Sequence, residues 1–288
     1  MKKKAFAKIN LCLDVISRRE DGYHELEMVM VPIDLFDTVE IEIAEEMRIV
    51  SDKSFLPLDR RNTVINTVEV MREKYGFTEN FSIRLVKNIP TQAGLAGGST
   101  DAATTIKIID ELLQLNMSEK EKYEVAALVG SDVPFCLYGK PAHVKGVGEE
   151  LSSIEVQLDF YLFLAKPRMG VSTKAAFTNL DMEHLAHANT PEMIAALKEN
   201  DYNKFLDCLG NSLEEPAILE VSAIQKIKDE LIEFGFDAAL MSGSGSTVFA
   251  VTKNEELVDR AVNRFWNRYW FVKKTKIIRD ISVLEDIT

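Results

Sequence analysis

The sequence is short of cysteine, and the few cysteines form no recognisable pattern. Cys12, Cys136 and Cys208 lie far apart, match no zinc-ligand spacing and have apolar neighbours. So few cysteines predict reduced core residues of a cytoplasmic protein rather than disulfides. Histidine is also scarce: His184 and His187 can share one helical face, but no further ligand type lies near them. This pattern favours a solvated helix over a metal site.

Basic residues and long apolar runs are scarce as well. The formal net charge of -12 over 288 residues leaves no basic stripe for a nucleic-acid partner, although a few lysines and amides still suffice for a small anionic substrate. The run at 160–165 is too short to span a membrane, so no membrane partner is expected. Met1–Lys4 resembles the start of a signal peptide, but Lys8, Asn10 and Asp14 interrupt the apolar run that would have to follow. We therefore expect no export.

The standard phosphate and nucleophile motifs are missing too. The sequence contains no G-x-x-x-x-G-K-[ST], no G-x-G-x-x-G after a strand and no protein-kinase signature. It does contain a glycine-rich stretch at 88–101. That stretch lies between an alternating, strand-like run at 81–86 and a segment with helical spacing that begins at Ala102. The glycines therefore form a strand-to-helix loop.

This loop has the composition of a phosphate site at the start of a helix. Gly94, Gly97 and Gly98 permit close approach of the backbone to a ligand, and Ser99 or Thr100 is expected to cap the helix. Unpaired amides and the positive end of the helix dipole at such a position suit a nucleotide phosphate. A flexible surface loop has the same composition, and the spacing alone does not separate the two interpretations.

Two further stretches place polar side chains in restrained positions. The segment at 5–16 is predicted to be a strand that carries Lys8 and Asn10 on one side, which suits a site but also an edge strand with a solvent-facing stripe. Asp132 follows a helix that starts at a capping box, Ser118 to Glu121, and it precedes Pro134 and an apolar strand expected at 135–138. A fixed carboxylate suits a general base, although turn aspartates without chemistry are common.

The remaining pattern predicts an α+β fold with two domains. A second glycine loop, with Gly243 and Gly245, is expected between strands within 238–252, where a tight hairpin is the alternative to a shared cleft. The pattern changes near 151–158, and we place the boundary between an N-terminal domain, 1–152, and a C-terminal domain, 153–288. Other strands are expected at 28–33, 38–43, 161–165 and 271–278, and other helices at 61–75, 173–179, 191–198, 201–209, 222–234 and 255–266.

In combination, these stretches resemble the small-molecule kinases named for galactokinase, homoserine kinase, mevalonate kinase and phosphomevalonate kinase, the GHMP kinases. The matching segments follow the family's order over nearly the whole chain: 7–11 with 21–24 (DGYH), 90–100, 130–134 and 240–250. The resemblance implies a two-domain GHMP-kinase-like α+β fold, an active site in the cleft between the domains, and ATP, with Mg²⁺, as the cofactor.

The resemblance also implies roles for individual residues. Asp132 would accept the proton of the acceptor hydroxyl, and Lys8 would pair with it and stabilise developing charge. The implied ATP-binding residues are Pro90, Thr91, Gln92, Ala93, Gly94, Leu95, Ala96, Gly97, Gly98, Ser99, Thr100, Asn62 and Lys87. The implied acceptor is a cytidine diphosphate-linked methylerythritol, bound by Asn10, Tyr23, His24 and Phe177. Tyr23 and Phe177 would stack on the base, and His24 would bond to its edge.

Two alternatives stay open at this point. A kinase of the same family can act on another small alcohol, such as homoserine, mevalonate or a sugar. A nucleotide-binding protein without catalysis can act as a sensor. The magnesium ligand is also open, because the hydroxyls of Ser99 and Thr100 can reach a metal ion, but so can water and phosphate oxygens. A monomer and a homodimer are both compatible with the sequence.

Overall fold

The computed structural model describes residues 1–54, 56–178 and 180–287. The strands are β1 (Lys2–Arg18), β2 (His24–Ala44), β3 (Arg48–Ser51), β4 (Asn80–Val86), β5 (Ala142–Gly146), β6 (Glu150–Ser153), β7 (Tyr161–Lys166), β8 (Gly210–Asn211), β9 (Ala238–Met241), β10 (Val248–Thr252) and β11 (Phe271–Thr275). The helices are α1 (Thr63–Tyr75), α2 (Gly97–Leu113), α3 (Glu119–Val129), α4 (Val133–Tyr138), α5 (Thr173–Thr178), α6 (Thr190–Glu199), α7 (Tyr202–Asp207), α8 (Glu214–Glu220), α9 (Ala223–Phe234) and α10 (Glu255–Phe265).

Two sheets organise these elements. The first has the strand order β3-β4-β2-β1-β8, with β5 paired to β2 and β6 paired to β5. The second is antiparallel, with the order β11-β7-β10-β9. This arrangement confirms the expected α+β class, while the domain boundary between 152 and 153 stays a prediction. Within the residues described, no helix combines the length and the apolar character that crossing a membrane requires.

The long strand β2 replaces two strands expected from the sequence, at 28–33 and 38–43. Two residues between those runs also pair with β1, Asp37 with Ala5 and Phe36 with Phe6, so one strand continues through the irregularity between Phe6 and Lys8. One half of β2 then pairs with β5 and the other half with β4. A single strand therefore runs from the DGYH turn past Asn10 to the base of the glycine loop.

Strand β1 carries the first pair of site residues on a locally rotated segment. Its register against β2 shifts between Phe6 and Lys8 and again between Asn10 and Cys12. Between the shifts, Ile9 is buried in the apolar cluster that contains β7 and β10, so the period of two turns Lys8 and Asn10 to the opposite side. Such irregularities re-aim side chains, and here they bring two polar groups into the interior.

One expected strand is a helix in the structure. Residues 135–138 belong to α4, which starts directly after Asp132, carries Pro134 in its first turn and ends at Gly139 in the left-handed conformation. A short apolar run does not distinguish a buried strand from a buried helix, and the proline favours the helix start. The correction matters for the site because it places Asp132 at a helix N-terminus.

The expected cap of α2 is also wrong. The helix begins at Gly97, with Ala96 as the N-cap residue, so Ser99 and Thr100 lie inside its first turn. The Thr100 hydroxyl donates a 2.7 Å hydrogen bond to the carbonyl of Phe6 on β1 instead. Other caps follow the sequence: the Ser118–Glu121 capping box opens α3. Of the helix expected at 173–179, position 179 lies outside the described residues.

Candidate active site

A cleft of about 500 Å³ opens beside the glycine loop. Eleven consecutive residues of that loop, Ile89 to Ser99, line one side of it. Asp132, the segment from Val171 to Lys174, and the second glycine loop complete the lining. The two glycine loops and the restrained aspartate, which are far apart in the sequence, therefore border one space.

Lys8 connects the first strand to Asp132. Its ammonium group donates a 2.7 Å hydrogen bond to Asn10 Oδ1 and lies 3.5 Å from Asp132 Oδ2. The Lys8 side chain is 5% exposed, whereas that of Asp132 is 36% exposed. A cation fixed in the interior thus stands beside a carboxylate that a ligand in the cleft can reach. This is the arrangement that proton removal from a hydroxyl and charge stabilisation require.

The segment around Asp132 is held from two sides. The Asp132 carbonyl accepts the first hydrogen bond of α4, from the amide of Cys136 at 3.1 Å. The backbone of Gly148 packs against Ser131 so closely that an added Cβ would lie 2.9 Å from the Ser131 carbonyl oxygen. The carboxylate is therefore carried by a backbone that has little freedom to shift.

The two glycine loops are in direct contact. Gly94 has a φ of +70°, and a Cβ at that position would lie 1.9 Å from the carbonyl oxygen of Ser242. The Ser242 hydroxyl donates to the Gly94 carbonyl at 2.9 Å. Asn211 fixes the second loop by donating to the carbonyls of Met241 and Gly243, both at 2.8 Å. The position of one loop therefore depends on the other.

Gly94→Ala is expected to raise the KM for ATP at least tenfold and to destabilise the protein. The methyl group meets backbone rather than a movable side chain, and left-handed φ costs alanine about 1–2 kcal/mol. Gly76→Ala is the matched control, because Gly76 has the same φ of +70° but open space around it. ATP kinetics and urea unfolding of both variants measure the difference. Equal behaviour of the two would contradict a requirement for close loop contact.

The implied ATP-binding residues do not all lie in the same position relative to the cleft. Pro90 to Ser99 line it, as does Lys87, whose ammonium group is bound to Asp37 and Asp101. Thr100 is buried behind the loop. Asn62 uses its side chain to cap α1, accepting from the Val64 amide and donating to the carbonyl of Pro57, both at 3.0 Å. An ATP-binding role for these residues stays a prediction.

The charges beneath the loop perturb one another. Burial raises the pKa of Asp101 to about 7, against the opposing effect of Lys87, and it also raises the pKa of Asp37. Burial tends to lower the pKa of Lys87, but the two carboxylates outweigh it, and the net direction is upward. Lys87 is therefore a permanent cation at neutral pH.

The implied acceptor residues form a second group at the DGYH turn. His24 and Phe177 stack with ring centroids 5.2 Å apart and an interplanar angle of 27°. Tyr23 is 64% exposed on the same turn. Partial burial, and then the positive charge of Arg18, lower the pKa of His24. His24 is therefore a neutral imidazole at pH 7, with one donor and one acceptor nitrogen for the edge of a planar ring.

The two groups of implied acceptor residues are separated along β2. Asn10 pairs with Met30, and His24 is the first residue of the same strand. Six residues at the rise of a strand correspond to roughly 20 Å. An acceptor that contacts both ends must be long and extended, whereas a small alcohol reaches only one.

Several cleft residues were not identified from the sequence. Thr173 and Ser244 exchange a 2.9 Å hydrogen bond across the cleft wall, and Lys174 adds a cation to the lining. The small residues around Gly243 indicated a loop, but nothing in the sequence indicated its partner, Asn211. A lysine at the start of a short helix looks like any solvated lysine, so Lys174 had no signal of its own.

Comparison with protein families gives two matches. The family described as GHMP kinases N terminal domain matches residues 62–140, and the family described as GHMP kinases C terminal matches residues 193–271. The first match contains the glycine loop and Asp132. The second contains Asn211 and the second glycine loop.

Curated relatives are similar over most of their length. The chain is 41% identical over 263 residues to a 4-diphosphocytidyl-2-C-methyl-D-erythritol kinase of Geobacillus thermodenitrificans, covering 90% of this chain and 91% of the relative. It is 44% identical over 263 residues to the protein of the same name in Bacillus licheniformis, with 91% of each covered.

Solved structures agree in fold. A 4-(cytidine 5'-diphospho)-2C-methyl-D-erythritol kinase has a TM-score of 0.82 at 28% identity, with 96% of this chain and 99% of that chain covered. A homoserine kinase from Cytophaga hutchinsonii has a TM-score of 0.75 at 20% identity, with 97% and 96% covered. The second likeness is one of fold alone.

Proposed function

The chain belongs to the GHMP kinase family, and from this membership we propose that it transfers the γ-phosphoryl group of ATP to a hydroxyl of 4-diphosphocytidyl-2-C-methyl-D-erythritol. The product is the 2-phosphate, an intermediate of non-mevalonate isoprenoid precursor biosynthesis. One structural observation carries the choice of acceptor. Along β2, His24 of the stacked His24–Phe177 pair lies six residues from the partner of Asn10 and eight residues from the partner of Lys8, a separation that suits a long cytidylyl substrate and not a small alcohol.

The proposed reaction assigns one task to each part of the cleft. The amides of the glycine loop bind the ATP phosphates at the N-terminus of α2. Asp132 accepts the proton of the acceptor hydroxyl as the new P–O bond forms and the bond to the β–γ bridging oxygen breaks, releasing ADP. Lys8 stabilises negative charge on the reacting oxygens, and Asn10 fixes the Lys8 ammonium group.

Magnesium is proposed as a companion of ATP and not as a resident metal. Within the described residues, no group of three or more His, Cys, Asp or Glu side chains is arranged to hold a metal ion. Mg²⁺ commonly keeps several waters and binds substrate phosphates, which neutralises their charge when it is bound. Of the two candidate hydroxyls, that of Thr100 donates to Phe6, whereas Ser99 lines the cleft.

A cytoplasmic location and a small-molecule substrate complete the proposal. All three cysteines are free, which suits a reducing compartment. Burial raises the pKa of the Cys12 thiol to about 11, and burial also raises the pKa of Cys136, so both are unreactive thiols of the core. A monomer and a homodimer both remain compatible with the proposal.

The direct test is ADP release against a panel of acceptors, comprising the cytidylyl substrate, homoserine, mevalonate and a hexose. We expect turnover with the cytidylyl substrate alone. Turnover with another acceptor and none with the cytidylyl substrate would replace the proposed substrate. Binding of an ATP analogue with no turnover on any acceptor would favour a nucleotide sensor.

Phe177→Ala should raise the KM for the cytidylyl acceptor about tenfold, since a base–aromatic stack contributes roughly 1–3 kcal/mol. The KM for ATP should stay unchanged and kcat should change less than the acceptor KM, because the Phe177 ring stacks on His24 at the DGYH turn and is assigned to acceptor binding alone. Phe77→Ala is the control: Phe77 is also half-buried, but it packs against Phe81. An acceptor KM that is the same in both variants would remove Phe177 from the binding site.

A further inference from the structure

Three charged side chains form a buried cluster beneath the glycine loop. The Lys87 ammonium group is hydrogen-bonded to both Asp37 and Asp101, and it also donates to the carbonyl of Gly97 at 3.2 Å. The three side chains are 0–6% exposed. The cluster connects β2, the residue that follows β4 and the N-terminal part of α2.

The cluster holds both ends of the loop. At the entrance, Asp37 Oδ1 accepts hydrogen bonds from the amides of Asn88, at 2.5 Å, and Ile89, at 2.8 Å. At the exit, Lys87 binds Asp101 and the carbonyl of Gly97. Asp37 and Lys87 are themselves paired, so the separation between Ile89 and Gly97 is fixed by one continuous set of contacts. The residues between these two points line the cleft.

Stability alone does not account for this cluster. Removing two carboxylates and an ammonium group from water is costly, and apolar residues of similar volume often give equal or greater stability. One carboxylate oxygen of Asp101, Oδ1, has no hydrogen-bond partner among the residues that the structure describes. Directional contacts to backbone groups, in contrast, define where the loop amides point, which apolar packing does less well.

We propose that Asp101 and Asp37, bridged by Lys87, are positioning residues that hold the phosphate-binding loop at the geometry required by the ATP phosphates. The inference rests on the proposed function, since it assumes that ATP binds in this cleft. None of the three needs to touch the nucleotide with its side chain. Lys87, which the family resemblance places among ATP-binding residues, acts in this inference through the loop.

The sharpest variant is Asp101→Ala, because it leaves Lys87 and Asp37 as a balanced pair. Removing the negative charge that Asp101 carries in its ionised form would by itself strengthen the binding of a triphosphate. Loss of the loop contact acts in the opposite direction, so the sign of the effect separates positioning from plain electrostatics. Asp101→Asn is the conservative variant, since its amide oxygen can still accept a hydrogen bond from Lys87.

Binding of a non-hydrolysable ATP analogue, measured by calorimetry on folded protein, is the readout, and it needs no acceptor. We expect at least tenfold weaker binding for Asp101→Ala and recovery of most of the affinity in Asp101→Asn. Lys122→Met controls for loss of an ion pair on α2, because Lys122 binds Asp110 at 3.1 Å at the far end of that helix. Its analogue affinity should match that of the unaltered protein. Asp101→Ser, whose hydroxyl is too short to replace the carboxylate, serves if the alanine variant does not fold.

Two results would overturn the inference. One is analogue binding by folded Asp101→Ala or Asp101→Ser within threefold of the unaltered protein. The other is equal weakening in Asp101→Ala and Asp101→Asn, because the hydrogen bond to Lys87 would then be irrelevant. Failure of the unaltered protein to bind the analogue would instead contradict the proposed function, so the two failures are distinguishable.

Discussion

Asp132→Asn lowers kcat by about two orders of magnitude or more and leaves the affinity for an ATP analogue nearly unchanged, as expected for a lost general base. The amide keeps the shape of the side chain at the start of α4 but cannot accept the proton of the hydroxyl. Single-turnover measurement of phosphoryl transfer, with separate titration of the ATP analogue, distinguishes lost chemistry from lost binding.

The control for this substitution is Asp201→Asn. Asp201 also stands at the start of a helix, α7, where its side chain caps the Lys204 amide at 3.1 Å, and asparagine caps helices as well as aspartate does. The kcat of the Asp201→Asn variant should be unchanged. Turnover of Asp132→Asn within threefold of the unaltered protein would show that another group removes the proton, and the Lys8–Asp132 pair would then need another explanation.

The sequence predicts this site better than it predicts the local fold around it. Asp132 was identified as a restrained carboxylate, although the element that follows it is a helix and not the expected strand. The prediction of a restrained carboxylate rests on the residue type and on the nearby proline, not on the secondary structure that follows. The four apolar residues after the proline contain no periodicity that distinguishes helix from strand, so tertiary packing decides.

The periodicity of the sequence does not predict contacts between residues that are far apart in the chain. The composition around Gly94 and around Gly243 predicts two turns, but the 1.9 Å approach of a Gly94 Cβ to Ser242 arises only when the two loops meet in space. The same holds for Asp37, which is an unremarkable strand residue in the sequence and becomes an anchor for two amides near the glycine loop. Spacing along the chain reports local periodicity and not partners 50 residues away.

The site residues that the family resemblance implies differ in the contacts that their side chains make in the structure. His24 and Phe177 come together as a stack although more than 150 residues separate them, which local pattern alone would not indicate. Asn62 instead uses both of its polar side-chain atoms within the cap of α1 and its neighbourhood. If Asn62 binds the adenine, its side chain must therefore do so while it also caps α1.

Lys8→Met is expected to lower kcat by about two to three orders of magnitude, the scale observed when one donor to a developing charge is removed. Methionine has a similar length and apolar body, so the fold around β1 should be retained, but Asn10 Oδ1 loses its 2.7 Å donor and Asp132 loses its cation. Lys3→Met is the matched control. Lys3 is a largely buried lysine on the same strand, paired with Asp286 at 2.6 Å. The Lys3→Met variant should have a lower free energy of unfolding and an unchanged kcat.

Combining Lys8→Met with Asp132→Asn tests whether the two groups act in one step. If the lysine stabilises charge on the same oxygen from which the aspartate removes the proton, the second substitution has little transition-state stabilisation left to remove. The double variant should then be only slightly slower than the worse single variant, since residues that act as a unit are strongly non-additive. A product of the two separate losses would mean that Lys8 acts on ATP independently of Asp132. The ion pair between Lys8 and Asp132, with 3.5 Å between the charged atoms, would in that case be structural and not catalytic.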